Sequence, residues 1–138
     1  MSWDIFVQDF PPDAHTVDDI PDDFEPAPLG PRAEIIEKIR EVMPFADFSD
    51  PTWGLIDGDG FSIEVNLGAD ESVDGFALHV RGGDLAAACV VAIIEHLGVR
   101  AIDSSTGDFF KPADAVASLQ KWRAYRDHVV GSAEDTPK

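Results

Sequence analysis

Residues 53–84, WGLIDGDGFSIEVNLGADESVDGFALHVRGGD, decide how this chain folds. From Phe61 the apolar side chains alternate: Phe61, Ile63, Val65 and Leu67 fall on one side, Ser62, Glu64 and Asn66 on the other. A period of two marks a half-buried strand. The preceding Asp57-Gly58-Asp59-Gly60 reads as a turn, because glycine reaches positive φ without steric cost. A second alternation follows Gly68-Ala69-Asp70-Glu71, with Phe76, Leu78 and Val80 against Ala77, His79 and Arg81. Gly82-Gly83 stops that strand, and Asp84 is expected to N-cap the apolar helix behind it. Trp53 to Ile56 reads as a short strand ahead of the turn. If 61–67 and 76–81 pair as a hairpin, their apolar side chains share one face and Glu64, His79 and Arg81 share the other.

Outward from this stretch, Trp3 to Phe10 reads as a strand with apolar residues on both faces, which predicts an interior strand covered from two sides. Residues 11–30 form an acidic, proline-rich connection in which Val17, Ile20, Phe24 and Leu29 are expected to lie down on the body. Pro31 suits the first position of a helix carrying Ile35, Ile36, Ile39, Val42 and Met43 at helical spacing, and Pro44 closes it. A second helix runs from Leu85 to Leu97, with Gly98 placed to end it. It is apolar nearly all round, so the sheet and either the C-terminal helix or a second subunit must cover it. Val99 to Asp103 is a short strand and Ser104 to Gly107 a turn. The last helix begins near Pro112 and runs to about Val130, with Val116, Leu119, Trp122, Tyr125 and Val129 inward. Lys121, Arg123 and Arg126 make it the locally basic element, expected to face the acidic 13–25 segment. The order β-α-β-β-β-α-β-α predicts an α+β domain, a two-layer sandwich of helices on an antiparallel or mixed sheet. A single domain over 1–131 is expected, with 132–138 as a flexible tail.

Charge bounds the partners. The 138 residues carry a net charge of −17; residues 1–31 hold eight acids and no Lys or Arg. Such a surface repels nucleic-acid phosphates and is electrostatically open to a basic protein partner, although solubility alone explains the charge just as well. No run of 18 apolar residues exists, so no membrane span is expected. Met1-Ser2-Trp3-Asp4 has neither the basic nor the apolar region of a secretion signal, which predicts a cytoplasmic location. Cys89 is the one cysteine, so no intrachain disulfide forms, and it reads as a small core hydrophobe.

Most candidate chemistry fails on spacing. Counted from Asp57, the twelfth position of a calcium loop is Gly68 rather than a bidentate glutamate. Gly82-Gly83-Asp84 lacks the lysine and hydroxyl of a phosphate loop. The four histidines have no metal-ligand spacing, and Ser104-Ser105 has no nucleophile-elbow context. Trp3, Phe6 and Trp53 are expected in the core rather than as a stacking platform. No catalytic residue, metal or cofactor is therefore assigned. What remains is Glu64, His79 and Arg81, a carboxylate, an imidazole and a guanidinium able to move a proton or hold an anion. The plainer reading is a solvated sheet face with cross-strand charge pairs.

Trp3-Asp4, Asp47-Phe48-Ser49-Asp50-Pro51-x-Trp53-Gly54, Asp57-Gly58-Asp59-Gly60-x-Ser62-Ile63-Glu64-x-Asn66 and Leu78-His79-Val80-Arg81-Gly82-Gly83-Asp84 resemble a group of small acidic bacterial proteins over about residues 3–110. That resemblance implies no activity, cofactor or site residue. In size, charge and class the chain is also similar to bacterial immunity proteins, which neutralise toxins. The expected function is a non-catalytic binding or protein-interaction domain, of immunity type if the acidic 13–25 segment or the sheet face meets a basic toxin. The competing expectation is a small-molecule enzyme or anion binder using Glu64, His79 and Arg81. Monomer and homodimer both remain open.

Overall fold

The computed structural model of the chain describes residues 2–134. It is an α+β arrangement of two layers. Strands β1 (Trp3–Gln8), β3 (Trp53–Gly58), β4 (Phe61–Asn66), β6 (Gly75–Gly82), β7 (Arg100–Asp103) and β8 (Asp108–Phe109) form one sheet in the order β3-β4-β6-β1-β7-β8. Every pairing in it is antiparallel. Two short strands, β2 (Gly30–Pro31) and β5 (Ser72–Val73), make a separate ribbon. Three helices, α1 (Arg32–Val42), α2 (Asp84–Leu97) and α3 (Ala115–Glu134), supply the second layer. Of the tail expected at 132–138, residues 132–134 continue α3 and 135–138 lie outside the described residues, as do the side chains of Arg126 and Val129.

The alternation read from the sequence decides which sheet face is buried. Trp3, Ile5 and Val7 of β1, Ile63 and Val65 of β4, and Phe76, Leu78 and Val80 of β6 all point into the helical layer. They meet Ala86, Ala87, Val90, Ile93 and Ile94 of α2, which lies over β4 and β6. The cover that α2 needs comes from α1 on one flank, through Ile35 and Ile39, and α3 on the other, through Leu119 and Trp122.

Three local expectations are corrected. Of the stripe expected inward on α3, Leu119 and Trp122 are buried, whereas Val116 and Tyr125 stand exposed, because α2 covers less than the whole stripe. β1 is interior in the hydrogen-bonding sense, between β6 and β7, but its second face is open and Phe6 is 46% exposed. Strand position in a sheet is set by backbone pairing, whereas cover of a face is set by where helices land, and here they share one side. The N-cap of α2 is Gly83, in extended conformation, and Asp84 sits in the first turn, where its charge favours the helix dipole. Gly98 ends that helix as expected, at φ 66° and ψ 35°, with its N–H directed at the carbonyls of Ile94 and Glu95.

The acidic connection is tied down at several points. Arg100 donates to the carbonyls of Pro11 and Ala14 at 2.5 and 2.9 Å, and stands 3.8 Å from the centroid of the Phe109 ring. The Val17 N–H reaches Asp108 at 3.0 Å, the Ala27 N–H reaches Asp9 at 2.9 Å, and the Leu29 N–H reaches the Val73 carbonyl at 2.7 Å. Among the described residues these ties run to β7, to the edge strand β8, to the end of β1 and to the β5 ribbon, and Arg123 of α3 pairs with Asp84 at 3.6 Å rather than with the acidic segment.

The lead-in to β3 is pinned by two aspartates. Asp47 exchanges backbone hydrogen bonds with Leu55 at 2.8 and 2.9 Å, and its carboxylate accepts from the Ser49 hydroxyl and N–H. Asp50 accepts from the Thr52 hydroxyl and N–H in the same manner. These hydroxyls, then the amides, hold both carboxyl groups below the ordinary aspartate range. A lowered folded pKa stabilises the fold above the unfolded value of about 3.9, and that contribution disappears as pH falls through the folded value. Protection of the Trp53 and Leu55 amides from exchange, relative to the unstructured rate at each pH, is therefore expected to fall selectively below about pH 4. Asp47→Asn with Asp50→Asn should flatten that acid limb, and an unchanged limb in the double variant would refute the assignment.

Candidate functional site

The face of the sheet opposite the helices carries the residues singled out by the sequence. Pairing between β4 and β6 sets Glu64 opposite His79 and Ser62 opposite Arg81. Pairing between β1 and β6 then sets Asp4 on the far side of His79. Leu55, Glu64, His79 and Asp4 thus form one row across four strands, and Trp53, Asn66, Ala77 and Phe6 form a neighbouring row.

The structure brings all three expected residues together. Arg81 donates to Glu64 Oε1 at 3.2 Å, with both side chains partly exposed. His79 Nδ1 lies 2.8 Å from Asp4 Oδ1, and the Ser2 hydroxyl donates to that same oxygen. With Asp4 ionised, the imidazole donates from Nδ1, which fixes its orientation. The Trp53 ring stacks on His79 at a centroid distance of 5.7 Å and an interplanar angle of 18°. Asp4 and Trp53 therefore belong to the cluster, although the sequence reading placed neither in it. Asp4 is 75 positions from His79, so only the strand order joins them. Trp53 and Phe6, expected in the core, stand outward on this face; Trp3 alone of the three is buried.

The chemistry of this arrangement is that of matched pairs. Arg81 is engaged by Glu64, and an incoming anion would have to displace a carboxylate while facing Asp4 nearby. The larger grooves of the surface are lined by other residues, along α1, at the end of β1 and β6, and beside α3. Among the described residues no group of three or more His, Cys, Asp or Glu is placed to hold a metal ion. No helix among them is long and apolar enough to cross a membrane. Partial burial pushes the Cys89 thiol up, away from the thiolate a nucleophile needs.

A second polar cluster, missed by the sequence reading, sits beneath the turn between β7 and β8. Asp103 is 2% exposed and accepts from Trp3 Nε1 at 2.8 Å, from the Ser105 N–H at 2.8 Å and from the Ser105 hydroxyl at 2.6 Å. The aspartate–serine–serine run carries the signal of a side-chain-closed turn, but nothing local indicates the tryptophan 100 positions away.

The fold and face define an α+β domain with one open, charge-paired sheet surface. Set against known proteins, the chain matches no protein-family model, no curated protein and no solved structure.

Proposed function

We propose that the protein is a non-catalytic, cytoplasmic protein-interaction domain whose contact surface is the open sheet face. The observation that carries this reading is the exposure there of Phe6, Trp53 and Leu55, at 46, 41 and 40%, around the paired charges. Large apolar side chains gathered on one face and rimmed by polar groups are the usual composition of a protein contact surface. Fixed ion pairs add register and partner choice more than affinity.

The net charge of −17 supports a basic protein as partner and weighs against nucleic acid. It also weighs against a second copy, since two chains of that charge repel, and so favours the monomer. An immunity-type role, in which this acidic domain covers a basic toxin, is one form of the same reading. The likeness to bacterial immunity proteins in size, charge and class supports that form.

The test uses the purified chain as bait in extract of its native cell at ~0.15 M and ~0.5 M salt, beside a Trp53→Ala/Leu55→Ala variant. A basic protein retained at the lower salt and lost by the double variant is the expected result. If every retained protein is kept equally by the variant, the sheet face is not the contact surface. The alternative, an anion binder or small-molecule enzyme built on Glu64, His79 and Arg81, draws support from their common face and from the Asp4–His79 pair. It predicts saturable thermal stabilisation by a small anion that vanishes in Arg81→Gln.

A further inference from the structure

A cleft of about 440 Å³ lies between the β7–β8 turn and α3, lined by Ser104, Ser105, Lys121, Trp122 and Tyr125. Its volume falls within the range of small-molecule sites, roughly 300–1,000 Å³. One wall is fixed by the core, because Trp122 is buried, while Tyr125 is 62% exposed and offers an open ring face.

The opposite wall is a turn held from several directions. Ser104 N–H donates to the Asp4 carbonyl at 3.0 Å, and the amides of Thr106 and Gly107 donate to the Asp103 carbonyl. Ser105 spends its hydroxyl proton on the Asp103 carboxylate. Ser104 differs: its hydroxyl oxygen accepts the Asp4 N–H at 3.2 Å, so its proton remains free to donate. The charged lining residue is Lys121, which among the described residues makes no hydrogen bond or ion pair. Among the described residues the cleft thus presents two aromatic rings, one cation and one free hydroxyl donor on a rigid frame.

We propose that this cleft binds a small molecule with a planar apolar body and one carboxylate, the ring lying against Tyr125 and Trp122 and the carboxylate held by Lys121 and the Ser104 hydroxyl. Charges beyond the Debye length of ~8 Å are largely screened at physiological salt, and the nearby Asp103 carboxylate is already engaged by three donors, from Trp3 and Ser105. A pre-formed wall lowers the ordering cost of binding. This site shares no lining residue with the sheet-face cluster, although Ser104 is held by the Asp4 backbone.

The test is a titration of the full-length chain with indole-3-acetate, followed by amide chemical shifts, beside indole-3-acetamide and acetate as matched controls. Indole-3-acetate should give saturable shifts centred on Ser104, Ser105, Lys121, Trp122 and Tyr125, with Kd of ~1 mM or tighter. The acetamide and acetate should each bind at least ~5-fold more weakly, as should Lys121→Gln and Tyr125→Ala. Both substitutions are at exposed positions, and an unchanged amide spectrum elsewhere shows that the fold is intact. No saturable shift at these residues up to ~10 mM would overturn the proposal. So would equal binding of either control, or wild-type affinity in Lys121→Gln.

Discussion

Trp3→Ala is expected to lose about 3–5 kcal/mol of stability, the cost of emptying a fully buried aromatic site. Trp3 is 0% exposed on the inward side of strand β1, facing Phe110 at a centroid distance of 6.1 Å. Its removal leaves a cavity beneath the helices and takes one of three donors from the buried Asp103 carboxylate. A domain of this size holds roughly 5–15 kcal/mol in all, so the variant should stand close to unfolding. Trp3→Phe separates the two causes. It keeps a six-membered ring in the site but drops the N–H together with the rest of the five-membered ring, for an expected loss of ~1–3 kcal/mol, smaller than that of alanine. Urea denaturation followed by circular dichroism measures both. An alanine variant within ~1 kcal/mol of wild type would show that Trp3 is not the keystone its burial implies.

The second large effect is expected at a glycine. Gly82 has φ +112°, a conformation that L side chains rarely adopt. A Cβ there would lie 2.3 Å from the Gly60 carbonyl oxygen and 2.5 Å from Phe61 Cα, both backbone atoms that cannot swing aside. Gly82→Ala must therefore part the β4–β6 pairing at its Phe61 end. Backbone strain alone is worth ~1–3 kcal/mol, and the broken pairing adds to it. The neighbouring Gly83 has φ −88°, and a Cβ added there would meet nothing within 4 Å, so Gly83→Ala should stay within ~1 kcal/mol of wild type. The contrast is the measurement. Equal melting of the two variants would mean that the tight approach at residues 60–61 does not constrain the hairpin. Because Arg81 precedes Gly82 and pairs with Glu64, loss of the Gly82 geometry should also loosen that ion pair.

The expected trio on the sheet was legible because strand parity is a local property. Once Ile63 and Val65 turn inward with Leu78 and Val80, Glu64, His79 and Arg81 have nowhere to stand but outside. Their partners were not legible. Asp4 reaches His79 only because β1 inserts beside β6, and Trp53 stacks on it only because β3 joins the far side of β4. The two-residue strands β2, β5 and β8 escaped for a related reason: two residues are too short to show any period.

What residues 1–138 settled unaided was therefore the kind of each longer element, the inward side of β4 and β6, and the ends marked by Gly98 and Pro44. Those outcomes follow from spacing along a few turns or pleats, where each side chain's neighbours are its sequence neighbours. Strand order, the open second face of β1, the buried Trp3–Asp103 bond and the exposure of Trp53 came only with the tertiary structure. Each of these depends on contacts between segments tens of residues apart, and no local pattern of hydrophobicity carries that pairing.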